Sequence, residues 1–250
     1  MINVLLLGTA SYVWDSERFV DISLAVSAGP SVNAFHLPPA LFEPFRMGSF
    51  VGSVEEGGPC RCDVVTVAPH GNGTHTECVG HVAGAAYRLP DCLNDVIVPA
   101  RLITVTLKED GSGDRLVTRE ELEKVWHGEG EPALVIRTDP NDGNKRTTRY
   151  SGANPAYVHV DAMRLMVERG VKHLLIDIPS VDREEDGGAL AAHKLFWNWP
   201  AAPRVNNTIT ELIYVPDTVE DGRYLVAFNA AAFDGDAAPS RPVLFPLTAA

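Results

Sequence analysis

The stretch Pro69-His-Gly-Asn-Gly-Thr-His-Thr-Glu-Cys-Val-Gly-His81 gathers many groups that can bind a metal ion. It holds three of the eight histidines in the pattern H-x4-H-x-E-x3-H and follows the apolar run Val64-Val65-Thr66-Val67. Imidazole and carboxylate groups are ligands of divalent ions such as zinc and manganese. Glycine lets the chain turn after a strand, and an extended backbone points His75 and Glu77 to the same face. The stretch therefore predicts a strand and a glycine-rich turn that carry a metal site.

The residues alone leave two interpretations of this cluster. Its histidines either lie on the surface or form hydrogen bonds in the core, as single histidines usually do, or they form a metal or catalytic site, as clusters of histidine and carboxylate do. The spacing is not H-E-x-x-H, so a helical zinc-protease site is not predicted. Cys78 lies inside the stretch, where it is either a thiol that lines the site or, as is commoner for a free cysteine, a small buried apolar residue.

The segment Asn72–His81 resembles the signature H-x-G-T-H-x-D-x-P-x-H of the cyclase family of metal-dependent hydrolases, which includes kynurenine formamidase and isatin hydrolase. Other pieces resemble the family in the same order along most of the chain: Val20-Asp21-Ile22-Ser23, Ile176-Asp177-Ile178-Pro179-Ser180-Val181-Asp182, Ala192-His193, Ile209-Thr210-Glu211-Leu212 and Asp234-Gly235-Asp236-Ala237-Ala238-Pro239-Ser240-Arg241-Pro242. The resemblance implies an α/β fold of the swivelling β/β/α type, with a mixed sheet and a long N-terminal loop in a single domain, residues 1–250. It also implies a homodimer or a larger homo-oligomer.

The resemblance also implies roles for individual residues. Ligand positions for one or two divalent ions, Zn or Mn, fall on His70, His75, Glu77, His193 and Glu211. Glu77 stands where the family has a ligand aspartate, and His81 stands at the histidine assigned to proton transfer. One extra residue separates His70 from the Gly-Thr-His triplet, so His70 would reach the metal through a local bulge.

The activity implied by the resemblance is metal-dependent hydrolysis of a carbon–nitrogen bond in an amide, a formamide or a cyclic imide, as in an arylformamidase. Metal-activated water would attack a small-molecule substrate, and His81 would carry the proton. One alternative is a cyclase or lactone hydrolase that uses the same site. Another is a catalytically silent, metal-free binding protein, which the extra residue before the triplet and the replacement of aspartate by Glu77 suggest.

Composition restricts the classes of protein that need to be considered. The chain has 250 residues, of which 45% are hydrophobic and 22% charged, as in a soluble globular protein with a sizeable core. A net charge of -12 argues against a nucleic-acid partner. No apolar run is long enough to span a membrane, and Met1 to Leu7 lacks the basic start of a signal peptide. These features predict a cytoplasmic protein, and four cysteines in a domain of this size need not form disulfides.

Hydrophobic periodicity and turn residues predict the order of the elements. The expected strands cover residues 3–7 and 12–14 (a hairpin), 19–24, 62–67, 102–107, 133–137, 173–178, 209–215 and 224–230. Helices are expected from a capping box at Thr118 to Trp126, from Asp161 to Arg169, and from Leu190 to Phe196, which carries His193. The succession of strand, helix and strand from 133 to 178 predicts a parallel βαβ unit.

Two further segments are predicted to lie near the site. Asp182 follows the end of a buried strand, where sites of α/β proteins often form, and could accept a hydrogen bond from a metal ligand. The loop Gly29–Pro59 is rich in proline and phenylalanine and is long for a compact domain. Its phenylalanines either line a pocket for a flat or apolar substrate or, as is usual for large rings, anchor the loop to its own core.

Overall fold

The structure of the chain is a computed structural model, which describes residues 1–128 and 130–250. Its strands are short except in the middle of the chain and are, in order, β1 (Ile2–Leu7), β2 (Ala10–Asp15), β3 (Val20–Asp21), β4 (Leu41–Pro44), β5 (Arg46–Met47), β6 (Phe50–Val51), β7 (Asp63–Thr66), β8 (His75–Glu77), β9 (Ile97–Thr106), β10 (Lys108–Glu109), β11 (Arg115–Val117), β12 (Ala133–Asp139), β13 (Tyr157–Val158), β14 (His173–Ile176), β15 (Thr208–Glu211), β16 (Gly222–Ala227), β17 (Ala237–Pro239), β18 (Val243–Pro246) and β19 (Thr248–Ala249).

The helices of the described residues are all short. They are α1 (Pro69–Asn72), α2 (Gly80–Ala83), α3 (Leu89–Cys92), α4 (Arg119–Val125), α5 (Val160–Glu168) and α6 (Ala191–Trp197), with a 3-10 turn at Gly143–Arg146. No helix in this part of the chain has the length and apolarity that crossing a lipid bilayer requires.

A nine-stranded mixed sheet forms the centre of the molecule, with the strand order β17-β8-β15-β14-β12-β9-β16-β18-β3. Its four middle strands, β15, β14, β12 and β9, run parallel, and antiparallel strands extend the sheet on both sides. The predicted α/β class with a mixed sheet is therefore confirmed. Because β15 is the last parallel strand and β8 pairs with it in the opposite direction, the site segments meet where the strand direction changes.

The parallel βαβ unit predicted for the middle of the chain is also present. β12 and β14 pair in parallel with Ala133 opposite His173, and α5 connects them. Met163 and Met166 of α5 are fully buried, as expected for the apolar face of a helix that packs on a sheet. Gly170 ends the unit's helical segment at a φ of 77°, which glycine adopts without a steric cost.

Two apolar cores cover the two faces of the sheet. On one face, side chains from alternate sheet positions such as Leu134 and Ile136 pack with helical residues that include Met163 and Phe196. On the other face, Val135 belongs to a second cluster that contains residues of β16 and β18. Burial on both faces explains why β12 reads as a continuous apolar run rather than an alternating one.

The N-terminal third differs in part from the prediction. β1 and β2 form the expected hairpin. The strand expected over residues 19–24 is reduced to Val20–Asp21, because the Asp21 carboxylate accepts hydrogen bonds from the backbone N–H and the hydroxyl of Ser23 and turns the chain. The loop at 29–59 contains three short strands, of which β4 pairs with β7.

Two smaller expectations are corrected by tertiary contacts. Thr118 caps α4 by accepting a hydrogen bond from the N–H of Glu121 at 3.3 Å, but the Glu121 side chain binds Lys124 and Lys108 instead of reaching back to the cap. The strand predicted over 209–215 ends at Glu211, because the next residue, Leu212, has a left-handed φ of 55°.

The order of the strands in the sheet also differs from their order in the chain. β15 and β16 follow each other along the chain but are not neighbours in the sheet.

Candidate active site

The motif folds as a helical turn followed by a strand. Pro69 begins α1 at a position where its missing N–H costs no hydrogen bond, and Gly73 separates α1 from β8 at a φ of 157°. A Cβ at Gly73 would lie 2.9 Å from the carbonyl oxygen of Leu24, so a larger residue does not fit there. His75 and Glu77 lie two residues apart on the fully buried strand β8, and their side chains reach the same cluster, as their spacing predicted.

Glu77 lies at the centre of this cluster. Its Oε1 is 3.1 Å from Nε2 of His193, and its Oε2 is 3.2 Å from Nδ1 of His70 and 3.5 Å from Nδ1 of His81. Burial by itself would raise the pKa of Glu77, but the neighbouring His81 and His193 outweigh it and hold that pKa well below its usual range. One carboxylate thus contacts three of the histidines predicted for the site.

Glu211 brings a second carboxylate from the neighbouring strand. It lies opposite His75 in the antiparallel register of β15 and β8, with Oε2 3.4 Å from Nε2 of His75. Its Oε1 accepts a hydrogen bond of 2.9 Å from the backbone N–H of Val181 and lies 3.7 Å from Nε2 of His193. The sheet register thus explains how residues 75 and 211 meet.

Asp182 holds His193 in place. Its carboxylate accepts hydrogen bonds from the backbone N–H groups of Ala192 and His193 at 2.8 and 3.0 Å, and its Oδ2 is 2.7 Å from Nδ1 of His193. Burial would lower the pKa of His193, but the hydrogen bonds to Asp182 and Glu77 raise it to about 10. The expectation that Asp182 contacts a ligand candidate agrees with these distances.

His70 reaches the cluster from α1, so the predicted local bulge is wrong and a helical turn takes its place. The turn accommodates the extra residue of the motif, because it shortens the path between residue 70 and the strand. Nε2 of His70 lies 3.0 Å from Oδ2 of Asp236, a residue to which the sequence reading gave no role. Burial would lower the pKa of His70, but the hydrogen bond to Asp236 and the negative charge of Glu77 raise it to about 10.

Asp236 also contacts His81, the predicted proton carrier. The same Oδ2 lies 3.3 Å from Nδ1 of His81, and the hydrogen bonds from His70 and His81 hold the pKa of Asp236 well below its usual range. His81 sits on α2 with 26% of its side chain exposed, whereas His75, Glu77 and His193 are buried.

The hydrogen bonds of three histidines follow one rule. His70, His75 and His193 each place one ring nitrogen against a carboxylate or carbonyl oxygen and turn the other nitrogen toward Glu77 or Glu211. Metal-binding histidines characteristically have such a partner on the second nitrogen, which fixes the ring and its tautomer.

Two buried polar atoms of the cluster have no hydrogen-bond partner among the described residues: Nε2 of His75 and Oε2 of Glu77. Unpartnered buried polar atoms are costly and therefore rare. The ligand atoms of His70, Glu77 and His81 lie within 4.8 Å of one another, and so do those of His75, Glu77 and Glu211. A donor set of imidazole and carboxylate groups with unpartnered atoms fits a divalent cation of the zinc or manganese type.

A cavity of about 290 Å³ opens over the cluster. Its polar lining includes His70, His81, His193 and Glu211, and Phe35, Leu37 and Leu190 add apolar surface. Phe35 and Leu190 hold left-handed φ values of 59° and 47°, a strain that is typical of functional sites. A larger cavity of about 910 Å³, lined by Arg146 and Arg241 among others, lies outside the cluster.

The structure thus brings the six residues selected from the sequence, His70, His75, Glu77, His81, His193 and Glu211, to one place. Cys78 is buried and turns away from them, with its Sγ 3.4 Å from the N–H of Gly80. In the N-terminal loop, Phe35 lines the cavity, whereas Phe45 and Phe50 pack on each other with ring centroids 6.2 Å apart. Both interpretations of the loop therefore apply, each to different residues.

Comparison with known proteins adds independent information. The family model described as Putative cyclase matches residues 20–183. Kynurenine formamidase of Bacillus thuringiensis (strain Al Hakam) is 30% identical over 197 residues, which cover 78% of this chain and 85% of that protein. Kynurenine formamidase of Bacillus anthracis is also 30% identical, with the same coverage of 78% and 85%.

Solved structures share the fold at lower identity. A potential metal-dependent hydrolase with cyclase activity superposes with a TM-score of 0.66 at 19% identity, over 91% of this chain and 97% of that one. Isatin hydrolase A from Labrenzia aggregata has a TM-score of 0.64 at 16% identity, over 91% of this chain and 93% of that one. At these identities the likeness concerns the fold.

Proposed function

Because this chain belongs to the Putative cyclase family, we propose that it is a metal-dependent hydrolase of a carbon–nitrogen bond in an amide, a formamide or a cyclic imide. The kynurenine formamidases at 30% identity make an aryl formamide the first substrate class to test. The observation that carries the proposal is the meeting of three histidines and two glutamates, with unpartnered buried atoms, beneath a cavity that a small molecule can enter.

In this proposal five residues hold the cation: His70, His75, Glu77, His193 and Glu211. The chemistry that a bound zinc or manganese ion supplies is a water of lowered pKa and a polarised substrate carbonyl. Asp182 keeps the His193 ring oriented through Nδ1, and the backbone carbonyl of Gly73 does the same for His75 at 3.1 Å. The chain thus supplies the ligands and fixes their rings before the cation binds.

His81 carries the proton. Its Nδ1 faces carboxylates, and its Nε2 has no hydrogen-bond partner among residues 1–128 and 130–250. With a proton held on Nδ1, Nε2 is the atom that accepts a proton from the attacking water and passes it to the leaving nitrogen. The position of His81 at the cavity supports this role.

Phe35, Leu37 and Leu190 are proposed to contact the non-reacting part of the substrate. Their apolar surface, next to a polar cluster, is the usual composition of a small-molecule site. A flat aromatic group suits such surfaces, which agrees with an aryl formamide.

The first experiment measures metal per chain by elemental analysis and hydrolysis of the formamide of kynurenine by the metal-loaded protein. Wild type is expected to hold zinc or manganese and to release formate, and Glu77→Ala is expected to lose both. A chain that holds no metal even after the ion is added back would refute the proposal and leave the metal-free binding protein.

The same experiment separates the remaining possibilities. His70→Ala is expected to lose metal affinity; full retention would remove His70 from the ligand set. Hydrolysis or formation of a lactone in place of formamide cleavage, identified by product analysis, would point to the cyclase alternative.

Homo-oligomeric assembly and a cytoplasmic location stay predictions, which sedimentation analysis and cell fractionation can test.

A further inference from the structure

We propose that Asp236 is a positioning residue that orients His70 and His81 at the same time through one carboxylate oxygen. The inference concerns how the site is held together, and its kinetic part rests on the proposed hydrolase function. Oδ2 of Asp236 lies 3.0 Å from Nε2 of His70 and 3.3 Å from Nδ1 of His81. The two rings are neighbours, with centroids 4.6 Å apart, so a single acceptor can serve both.

The backbone around Asp236 is built to place this carboxylate. β17 pairs with β8 so that Ala237 lies opposite Glu77, and the carbonyl of Asp236 accepts a hydrogen bond of 3.0 Å from the N–H of Cys78. Gly80 permits the close approach, since a Cβ there would lie 3.0 Å from the Cβ of Asp236 and 2.2 Å from the carbonyl oxygen of Tyr87. The motif strand therefore fixes Asp236 from the backbone side.

An ionised carboxylate only accepts hydrogen bonds, so the nitrogen that faces Asp236 carries a proton in each ring. In the neutral form of His70 the lone pair is then on Nδ1, on the side of Glu77, and this is the form that binds a metal ion. When Nδ1–H of His81 donates to the same oxygen, Nε2 is left to accept a proton. Asp236 thus prepares one histidine for the cation and the other for proton transfer.

Asp234 provides a matched comparison two residues away. Its side chain is 78% exposed and pairs with Arg88, whereas the Asp236 side chain is 37% exposed and contacts His70 and His81. The changes Asp236→Asn and Asp234→Asn remove the same charge from the same loop with little change in shape. A difference between the two variants therefore reports the contact with the histidines rather than the loss of a loop charge.

The experiment compares the two variants in three ways, on the full-length protein. In metal-free protein labelled with ¹⁵N-histidine, Asp236→Asn should shift the ring resonances of His70 and His81 and leave that of His127, an exposed histidine, unchanged. Affinity for Zn²⁺, measured by competition with a chelator, should fall about 10- to 100-fold. At saturating metal, kcat for the formamide should fall by about the same factor with little change in KM. Asp234→Asn should match wild type in all three.

Two further variants decide how Asp236 acts. Asp236→Glu, which keeps the carboxylate on a longer side chain, should recover part of kcat. In a His81→Ala background and at saturating metal, Asp236→Asn should cause almost no additional loss of kcat, because its kinetic effect passes through His81.

Opposite results would overturn the inference: unchanged ring resonances of His70 and His81, equal Zn²⁺ affinities in the two asparagine variants, or fully additive losses in the double variant. If wild type cleaves no formamide, the proposed function fails, but the ring resonances and the Zn²⁺ affinity still judge the role of Asp236.

Discussion

At the scale of single residues, His81 is partly exposed at the cavity, as is His70, whereas His75 and His193 are buried. We expect His81→Ala to keep its metal, because five other residues are proposed to hold it, and to lose about 10²- to 10⁴-fold in kcat, the usual contribution of a general acid–base. Steady-state kinetics together with elemental analysis measure both effects. His127→Ala, a change at an exposed histidine, is the control. If turnover survives in His81→Ala, another group moves the proton.

His173 gives a second prediction at this scale. Its ring is fully buried, with Nδ1 2.8 Å from the hydroxyl of Thr208 and Nε2 3.0 Å from Asp95. Burial lowers its pKa below the usual 6.5, against the opposing effect of Asp95. As the pH falls from about 6.5 toward the lower pKa of folded His173, this histidine becomes protonated in the unfolded chain but stays neutral in the folded chain. The contribution of His173 to stability is therefore complete above pH 6.5 and is lost as the solution becomes acidic.

The measurement is the free energy of unfolding in urea between pH 5 and pH 8, for wild type and His173→Gln. We expect the free energy of unfolding to fall less steeply with decreasing pH in the variant than in wild type. The two slopes should differ by up to about 1.4 kcal/mol per pH unit, the value for one proton. His127→Gln should keep the wild-type slope. Parallel curves for His173→Gln and wild type would mean that His173 takes up its proton equally in both states.

At the scale of elements, the 3-10 turn at Gly143–Arg146 is attached to the sheet by a buried ion pair. Lys145 Nζ lies 2.9 Å from Oδ2 of Asp177, which is fully buried just after β14, and also binds the hydroxyl and the carbonyl of Thr138 at the end of β12. We expect Lys145→Met to reduce stability by about 3–5 kcal/mol, because it leaves Asp177 buried without a countercharge.

Chemical denaturation tests this prediction, with Arg149→Met as the control at an exposed cation of the same loop. A double variant, Lys145→Met with Asp177→Asn, should recover part of the loss, since it removes the uncompensated charge as well. A loss in Lys145→Met no larger than that in the control would show that the turn is held mainly by other contacts.

The sequence predicts the elements that depend on local signals and not those that depend on contacts between distant segments. β12, α5 and β14 were predictable, because apolar periodicity and terminal glycines are local signals. The pairing of β8 with both β15 and β17 was not predictable, since strand order depends on contacts between distant segments. For the same reason the sequence alone assigns no role to Asp236, since only the pairing of β17 with β8 brings it to the histidines.

At the scale of the whole molecule, the site connects segments from residue 70 to residue 236, so metal binding should stabilise the entire fold. A ligand present at 100 times its dissociation constant adds about 2.7 kcal/mol to the stability of the folded state. For a chain of this size, that corresponds to a rise in Tm of roughly 5–11 °C.

Calorimetry of metal-free and Zn²⁺-loaded protein measures this shift, and a chelator should reverse it. Glu77→Ala should show almost no shift, because the carboxylate shared by three histidines is gone. The interpretation of residues 1–250 as one domain stays a prediction, and the same scans test it: one cooperative transition is expected, and two separate transitions would refute it.

The site as a whole was more predictable than the fold, because the resemblance selected six residues that the structure brings together. The local sequence pattern did not predict the contacts that orient each histidine ring. The bulge expected at His70 is a helical turn, and the contact of Asp182 with His193 was only anticipated from its place after a strand. These features depend on packing between segments, which a linear motif does not record.

The position of β17 after all the proposed ligands along the chain has a consequence for synthesis on the ribosome. All five proposed ligands and His81 leave the ribosome before Asp236 and β17, which covers the free edge of β8. A chain released before residue 236 would therefore contain every ligand yet leave β8 with unpaired backbone groups, and such edges recruit strands from other chains. Such truncated chains should therefore self-associate although they retain every proposed metal ligand.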